Sequence, residues 1–108
     1  MEVLRYLTEE GKDVVGQWLA DLNDAQARAR IAARIARLAV GNFGDSKALG
    51  DGVSELRVDW GPGYRVYYAM TGRMCVLLLC GGDKRKQTAD IKRAVAYWRD
   101  YKRRTGKT

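Results

Sequence analysis

At Ser54 the hydrophobic period of this chain changes from that of a helix to that of a strand, which restricts the fold to a mixture of the two. Leu56, Val58 and Trp60 alternate with Glu55, Arg57 and Asp59, so one face of the segment is buried and the other polar. Gly61-Pro62-Gly63 then makes a turn: proline presets φ, and the glycines reach conformations closed to other residues. Tyr64 to Thr71 returns as a second strand, with Val66, Tyr68 and Met70 on one face and Arg65, Tyr67 and Ala69 on the other. Thr71-Gly72-Arg73 turns again, and Met74 to Cys80 is continuously apolar, as a central strand is.

Before that stretch the chain reads as helical. Val3 to Leu7 is a short strand candidate. Thr8 follows as an N-cap, with Glu9 and Glu10 in the first turn, where the helix dipole favours anions. Val14, Val15, Trp18, Leu19 and Leu22 recur at helical spacing. Asn23-Asp24 breaks and caps, and a second helix runs to about Val40 with Gly41 as its stop. Its apolar stripe is Ile31, Ile35 and Leu38, and Arg30, Arg34 and Arg37 run beside it. That basic stripe reads as the wet side of an amphipathic helix rather than a phosphate grip, because charge over residues 1–41 is balanced, six basic against six acidic. After Gly81-Gly82 a last helix carries Ile91, Ala94, Val95, Trp98 and Tyr101 on one side. The expected order is β-α-α-β-β-β-α, a two-layer α+β fold whose antiparallel sheet is covered by helices on one face. With 108 residues and no linker this is one domain, with a flexible basic tail from about residue 103 to 108.

Charge and residue types narrow the function. Residues 83–108 hold ten basic and three acidic side chains, so the whole net charge of +7 sits there, which suits a polyanion or an acidic protein as partner. No histidine is present, which excludes a Cys₂His₂ zinc site, a Ser-His-Asp triad and any RNase with imidazole as its base. Cys75 and Cys80 lie five apart along one strand, on opposite faces by simple alternation, and read as reduced thiols. No apolar run approaches the roughly 20 residues that span a bilayer, and the N-terminus lacks a secretory pattern. The expectation is a soluble, cytoplasmic protein with no membrane partner.

If Leu56, Val58 and Val66 face the helices, Arg57, Arg65 and Tyr67 share the open face, and Lys84, Arg85 and Lys86 follow the central strand directly. Such a cluster suits a phosphodiester, whose transition state gathers charge on its non-bridging oxygens, while tyrosine can stack on a base. The same arginines can instead pair with Glu55 and Asp59 across the sheet.

Glu55-Leu-Arg-Val-Asp-Trp-Gly-Pro-Gly-Tyr-Arg-Val-Tyr-Tyr68 resembles the signature hairpin of RelE/ParE toxins, and Leu77-Leu-Leu-Cys-Gly-Gly-Asp-Lys-Arg-Lys-Gln87 with Asp90-Ile91 resembles the Gp49-like, HigB-type addiction-module killer branch. The resemblance covers nearly the whole chain. It implies the toxin of a type II toxin–antitoxin system that acts as a ribosome-dependent mRNA endonuclease, with no metal or organic cofactor. On the matching positions Arg65 is the phosphate stabiliser, Arg57 a second strand cation, and Lys84 a proton donor or phosphate clamp. Tyr64, Tyr67, Arg85 and Lys86 would hold the substrate. Asp90 stands where RelE proper has a catalytic tyrosine, so Lys84, Glu55 and Asp59 all remain candidates for the base. The expected partners are messenger RNA on the ribosome and a cognate antitoxin of helix-turn-helix type. Two other functions share the fold: ParE-like inhibition of DNA gyrase without nuclease chemistry, and an inactive nucleic-acid-binding relative.

Overall fold

The computed structural model describes residues 1–106 as β1 (Glu2–Arg5), α1 (Val14–Asp21), α2 (Ala25–Leu38), β2 (Ser46–Gly50), β3 (Val53–Val58), β4 (Tyr64–Met70), β5 (Cys75–Asp83) and α3 (Gln87–Thr105). A single 3₁₀ turn, Lys84–Lys86, joins β5 to α3. The α+β class expected from the two periods is the one observed. β3, β4 and β5 form the antiparallel meander, and β1 adds in parallel at the far edge of β5, giving the order β1-β5-β4-β3-β2.

The strand β2 was not expected, because Ser46-Lys47-Ala48-Leu49-Gly50 is short, polar and on the edge. Its hairpin to β3 turns at Asp51-Gly52, both with positive φ (55° and 80°), the mirror-image turn that matches the twist of paired strands. α1 starts later than expected. Gly11 (φ +86°) interrupts the segment after Thr8, so Thr8 closes a turn by accepting from the Lys12 N–H, and Asp13 caps the helix through the Gly16 N–H at 3.0 Å.

The larger correction concerns layers. α1 and α2 cover one face through Val15, Ala27, Ile31 and Leu38, packed on Leu56, Val58, Val66, Tyr68 and Leu78. α3 covers the other through Ala94 and Trp98, packed on Val53, Tyr67, Ala69, Leu77 and Leu79. The sheet is therefore sandwiched, and β5 is apolar from Val76 to Cys80 because that stretch is buried on both sides. An irregularity in register beside Leu79, where Tyr67 pairs with Cys80 and Tyr68 with Leu78, sends Leu79 and Cys80 both into the α3-side core. Cys80 therefore lies on the α3 side, against the simple alternation expected. The five-residue separation along the strand, about 16 Å, still keeps it out of bonding range of Cys75. Arg103 to Thr105, expected in a tail, continue α3: Arg103 and Arg104 both pair with Asp100. The end of that expected tail, 107–108, lies outside the described residues. Among the described residues no helix is long and apolar enough to cross a membrane.

Two glycines of β5 let the helices approach closely. A methyl on Gly81 would sit 2.3 Å from the Trp18 ring, and one on Gly82 would sit 1.9 Å from Asp90 Oδ2. Trp18 is a rigid plate set edge-on to Tyr64 at 6.3 Å, so it has little room to yield. Gly81→Ala is expected to cost about 1–3 kcal/mol by overpacking, read from urea denaturation. A loss below about 0.5 kcal/mol would mean that α1 is free to shift.

Tyr6 joins the end of β1 to α3. Its hydroxyl donates to Asp100 Oδ2 at 2.5 Å and its ring stacks on Tyr97 at 4.7 Å. Burial first, and Asp100 second, push the Tyr6 hydroxyl up to about 12, and burial pushes the Cys80 thiol up to about 12. The unfolded chain releases these protons near pH 9 to 10, while the folded chain keeps them to about pH 12. Their contribution to stability is full below about pH 9 and is lost as pH rises toward 12. The urea midpoint should fall between pH 9 and 11.5, and Tyr6→Phe should flatten that decline; a midpoint constant across the range would refute the assignment.

Candidate active site

Arg57 and Arg65 are directly opposed across β3 and β4. Like charges so placed repel. Glu55, 1% exposed, lies with them on the same face and offsets that repulsion. Its Oε1 accepts from Arg57 Nε at 2.9 Å and its Oε2 is 3.4 Å from Arg65 Nε. The latter is an ion pair outside hydrogen-bonding geometry, and Arg65 Nη1 donates to the Tyr64 carbonyl at 3.2 Å. Gln87, the first residue of α3, donates to Glu55 Oε2 at 3.1 Å. Both carboxylate oxygens are thus occupied. The hydrogen bond that Arg57 donates to Glu55, then the Glu55 charge, holds the Arg57 guanidinium still further above its already high pKa.

The cations open onto a cleft of about 280 Å³ lined by Arg57, Arg65, Lys84, Asp45, Asp59 and the Gly61–Gly63 turn. Lys84 reaches it because the end of β5 lies beside that turn: its N–H donates to the Gly63 carbonyl at 2.8 Å. Gly63, at φ +84°, supplies the backbone conformation the turn needs. The cleft therefore presents three cations and two carboxylates. Asp45 was missed in the sequence because residues 42–53 showed no periodic pattern; it stands 3.9 Å from Arg57 Nη1.

The other expected site residues lie elsewhere. Tyr67 points to the face shared with Arg57 and Arg65, but α3 covers it there and it is fully buried, so it cannot stack on a base. Burial, then the nearby Asp90 charge, push its hydroxyl well above the usual tyrosine range. The basic triplet divides: Lys84 joins the cleft, and Arg85 folds back on Asp83 at 2.8 Å. Lys86 lines a separate groove with Tyr64, Asp90 and Arg93. Asp90 is 4% exposed, pairs with Arg93 at 3.0 Å and rests on Gly82. Glu55 is an orienting carboxylate rather than a free base, since both its oxygens are held.

Residues 17–96 match the family described as Phage derived protein Gp49-like (DUF891). A Haemophilus influenzae protein described as "Uncharacterized protein" is 54% identical over 77 residues, covering 71% of this chain and 78% of that protein. The family match spans all three cations of the cleft and both of its carboxylates. The chain belongs to the Gp49-like phage-derived protein family, a family of the RelE-superfamily toxin type.

Proposed function

We propose that this chain is the toxin of a type II toxin–antitoxin pair and that it cleaves messenger RNA on the ribosome. The observation that carries this reading is the convergence of Arg57, Arg65 and Lys84 on one open cleft, with both arginines held from behind by a buried carboxylate. In the reaction the 2′-oxygen of a nucleotide bonds to the adjacent phosphorus and the bond from phosphorus to the 5′-oxygen breaks. Arg65 and Arg57 face the non-bridging oxygens, where negative charge builds. Lys84 gives a proton to the departing 5′-oxygen. The 2′-hydroxyl proton goes to a carboxylate at the cleft, Asp45 or Asp59, both exposed. Neither imidazole nor a metal ion has a step in this scheme. The toxin works where ribosomes are, in the bacterial cytoplasm, and a helix-turn-helix antitoxin keeps it inactive by binding it.

The test is induced expression of the wild type and of Arg65→Ala in a bacterial host, with growth, translation and mRNA 5′ ends followed together. Growth arrest with new ends inside translated codons, lost on substitution, supports the reading. Arrest with intact messages and broken DNA would move the target to gyrase. Absence of arrest would leave a nucleic-acid-binding relative.

A further inference from the structure

We infer that the arginine stripe of α2 is a phosphate-binding surface that holds the RNA strand flanking the scissile bond. This rests on the nuclease reading and extends it beyond the catalytic cleft. Helix α2, Ala25–Leu38, carries four arginines and no carboxylate. Two of them turn onto backbone carbonyls: Arg28 onto that of Leu22, and Arg34 onto those of Arg57, Phe43 (3.0 Å) and Asp45 (3.3 Å). A carbonyl orients a guanidinium without cancelling its charge.

The remaining two, Arg30 and Arg37, are exposed and have no carboxylate within ion-pair distance among the described residues. Arg30 lies 3.9 Å from the centre of the Trp60 ring, and Trp60 Nε1 donates to Asp24 at 3.1 Å. Arg30 is therefore held in place while its donors stay open, the arrangement a phosphate requires.

Position decides what these cations serve. Arg30, Arg34 and Arg37 line a cleft of about 180 Å³ with Val58 and Asp59, and Asp59 also borders the catalytic cleft. The two clefts form one track along the end of β3, and Arg34 anchors their junction through the Arg57 carbonyl. Together they present six cations against the carboxylates of Asp45 and Asp59. Of the C-terminal arginines, Arg85, Arg93, Arg103 and Arg104 are each paired with an aspartate, and none of them lines either cleft. The stripe read from the sequence as merely solvated is thus an unpaired cationic face that continues the site.

The test measures binding of labelled 2′-O-methyl oligouridine, which cannot be cleaved, by fluorescence anisotropy at several salt concentrations. A trimer fills the catalytic cleft alone; an octamer reaches α2. Arg30→Gln/Arg37→Gln should weaken octamer binding by about tenfold, leave trimer binding unchanged and lower the salt slope by about 1.4, or 0.7 for each lost phosphate contact. Lys92→Gln/Arg99→Gln, on α3, should match the wild type. Glutamine keeps the helix propensity, and thermal melting checks that the fold is retained. Equal octamer affinity and slope in the α2 variant would overturn the inference, as would a wild type that binds octamer no better than trimer. The nuclease reading would survive either result, because messenger 5′ ends test it separately. Loss confined to antitoxin binding would assign the face to protein and also overturn the inference.

Discussion

Arg65→Ala should slow single-turnover cleavage of a ribosome-bound message by about 10²–10³-fold, while the melting temperature falls by about 10 °C, because the buried Glu55 keeps Arg57 and Gln87 but loses one cation. The side chain of Arg65 is 14% exposed, so its guanidinium meets a phosphate already stripped of most competing water. Electrostatic contacts gain strength as water is excluded, and a donor aimed in advance pays no reorganisation cost when charge develops. Arg57→Ala should cost less, about tenfold, because that side chain is 35% exposed and shared with Asp45. Lys84→Ala should fall between them and shift the loss toward substrates with poor leaving groups, as removal of a general acid does. If Arg65→Ala cleaves within a factor of about three of the wild type, under 1 kcal/mol of barrier, the cleft is not the site of chemistry.

Glu55 carries the second large effect. Glu55→Ala should lower stability by about 3 kcal/mol, because it leaves the largely buried Arg65 charge uncompensated and removes the acceptor of Gln87. The partial exposure of Arg57 keeps the loss at the lower end of what breaking a buried ion pair costs. Glu55→Gln separates holding the fold from holding the arginines. It keeps the volume and one acceptor, so it should cost only about 1–2 kcal/mol. Without the negative charge, however, two opposed guanidiniums repel and splay, and cleavage should fall by about tenfold or more in kcat with little change in KM. Urea denaturation beside single-turnover kinetics reads both. A Glu55→Gln protein that cleaves at the wild-type rate would reduce Glu55 to a packing residue.

The order of the meander and the two leading helices was legible because each segment repeats its own period for several turns or residues. Leu56-Val58 and Val66-Tyr68 located the face beneath α2 correctly. What escaped the sequence had weak or contradictory local signals. The strand β2 has too few apolar residues to alternate, although Asp51-Gly52 marks its turn. The second helical layer was hidden because Arg57 and Arg65 suggest solvent on a face that α3 covers only in part. The uninterrupted apolar run Val76 to Leu79 was the better guide, since a strand exposed on one side would alternate. Tyr67 was misjudged for the same reason. Neither the irregularity at Leu79 nor the reach of Gln87 to Glu55, 32 residues away in sequence, has any local signature. Pairing could not be read from charge counts: the helix that looked electrically balanced within its region carries Arg30 and Arg37 without a carboxylate partner among the described residues.

The register of β1 has a kinetic consequence. Glu2 through Arg5 pair with Cys75 through Leu78, so the first strand synthesised waits for the last of the described strands. Closing so long a loop is slow compared with forming a hairpin, and until it happens the β5 edge stays open. Lys84 and Gln87 are made later still, and they complete the cleft and the hold on Glu55. A growing chain therefore carries the α2 arginines and the β3–β4 pair well before it carries a finished site. Assembly of the cleft therefore waits for Lys84 and Gln87, and the cations of α2, β3 and β4 are in the chain before the residues that organise them.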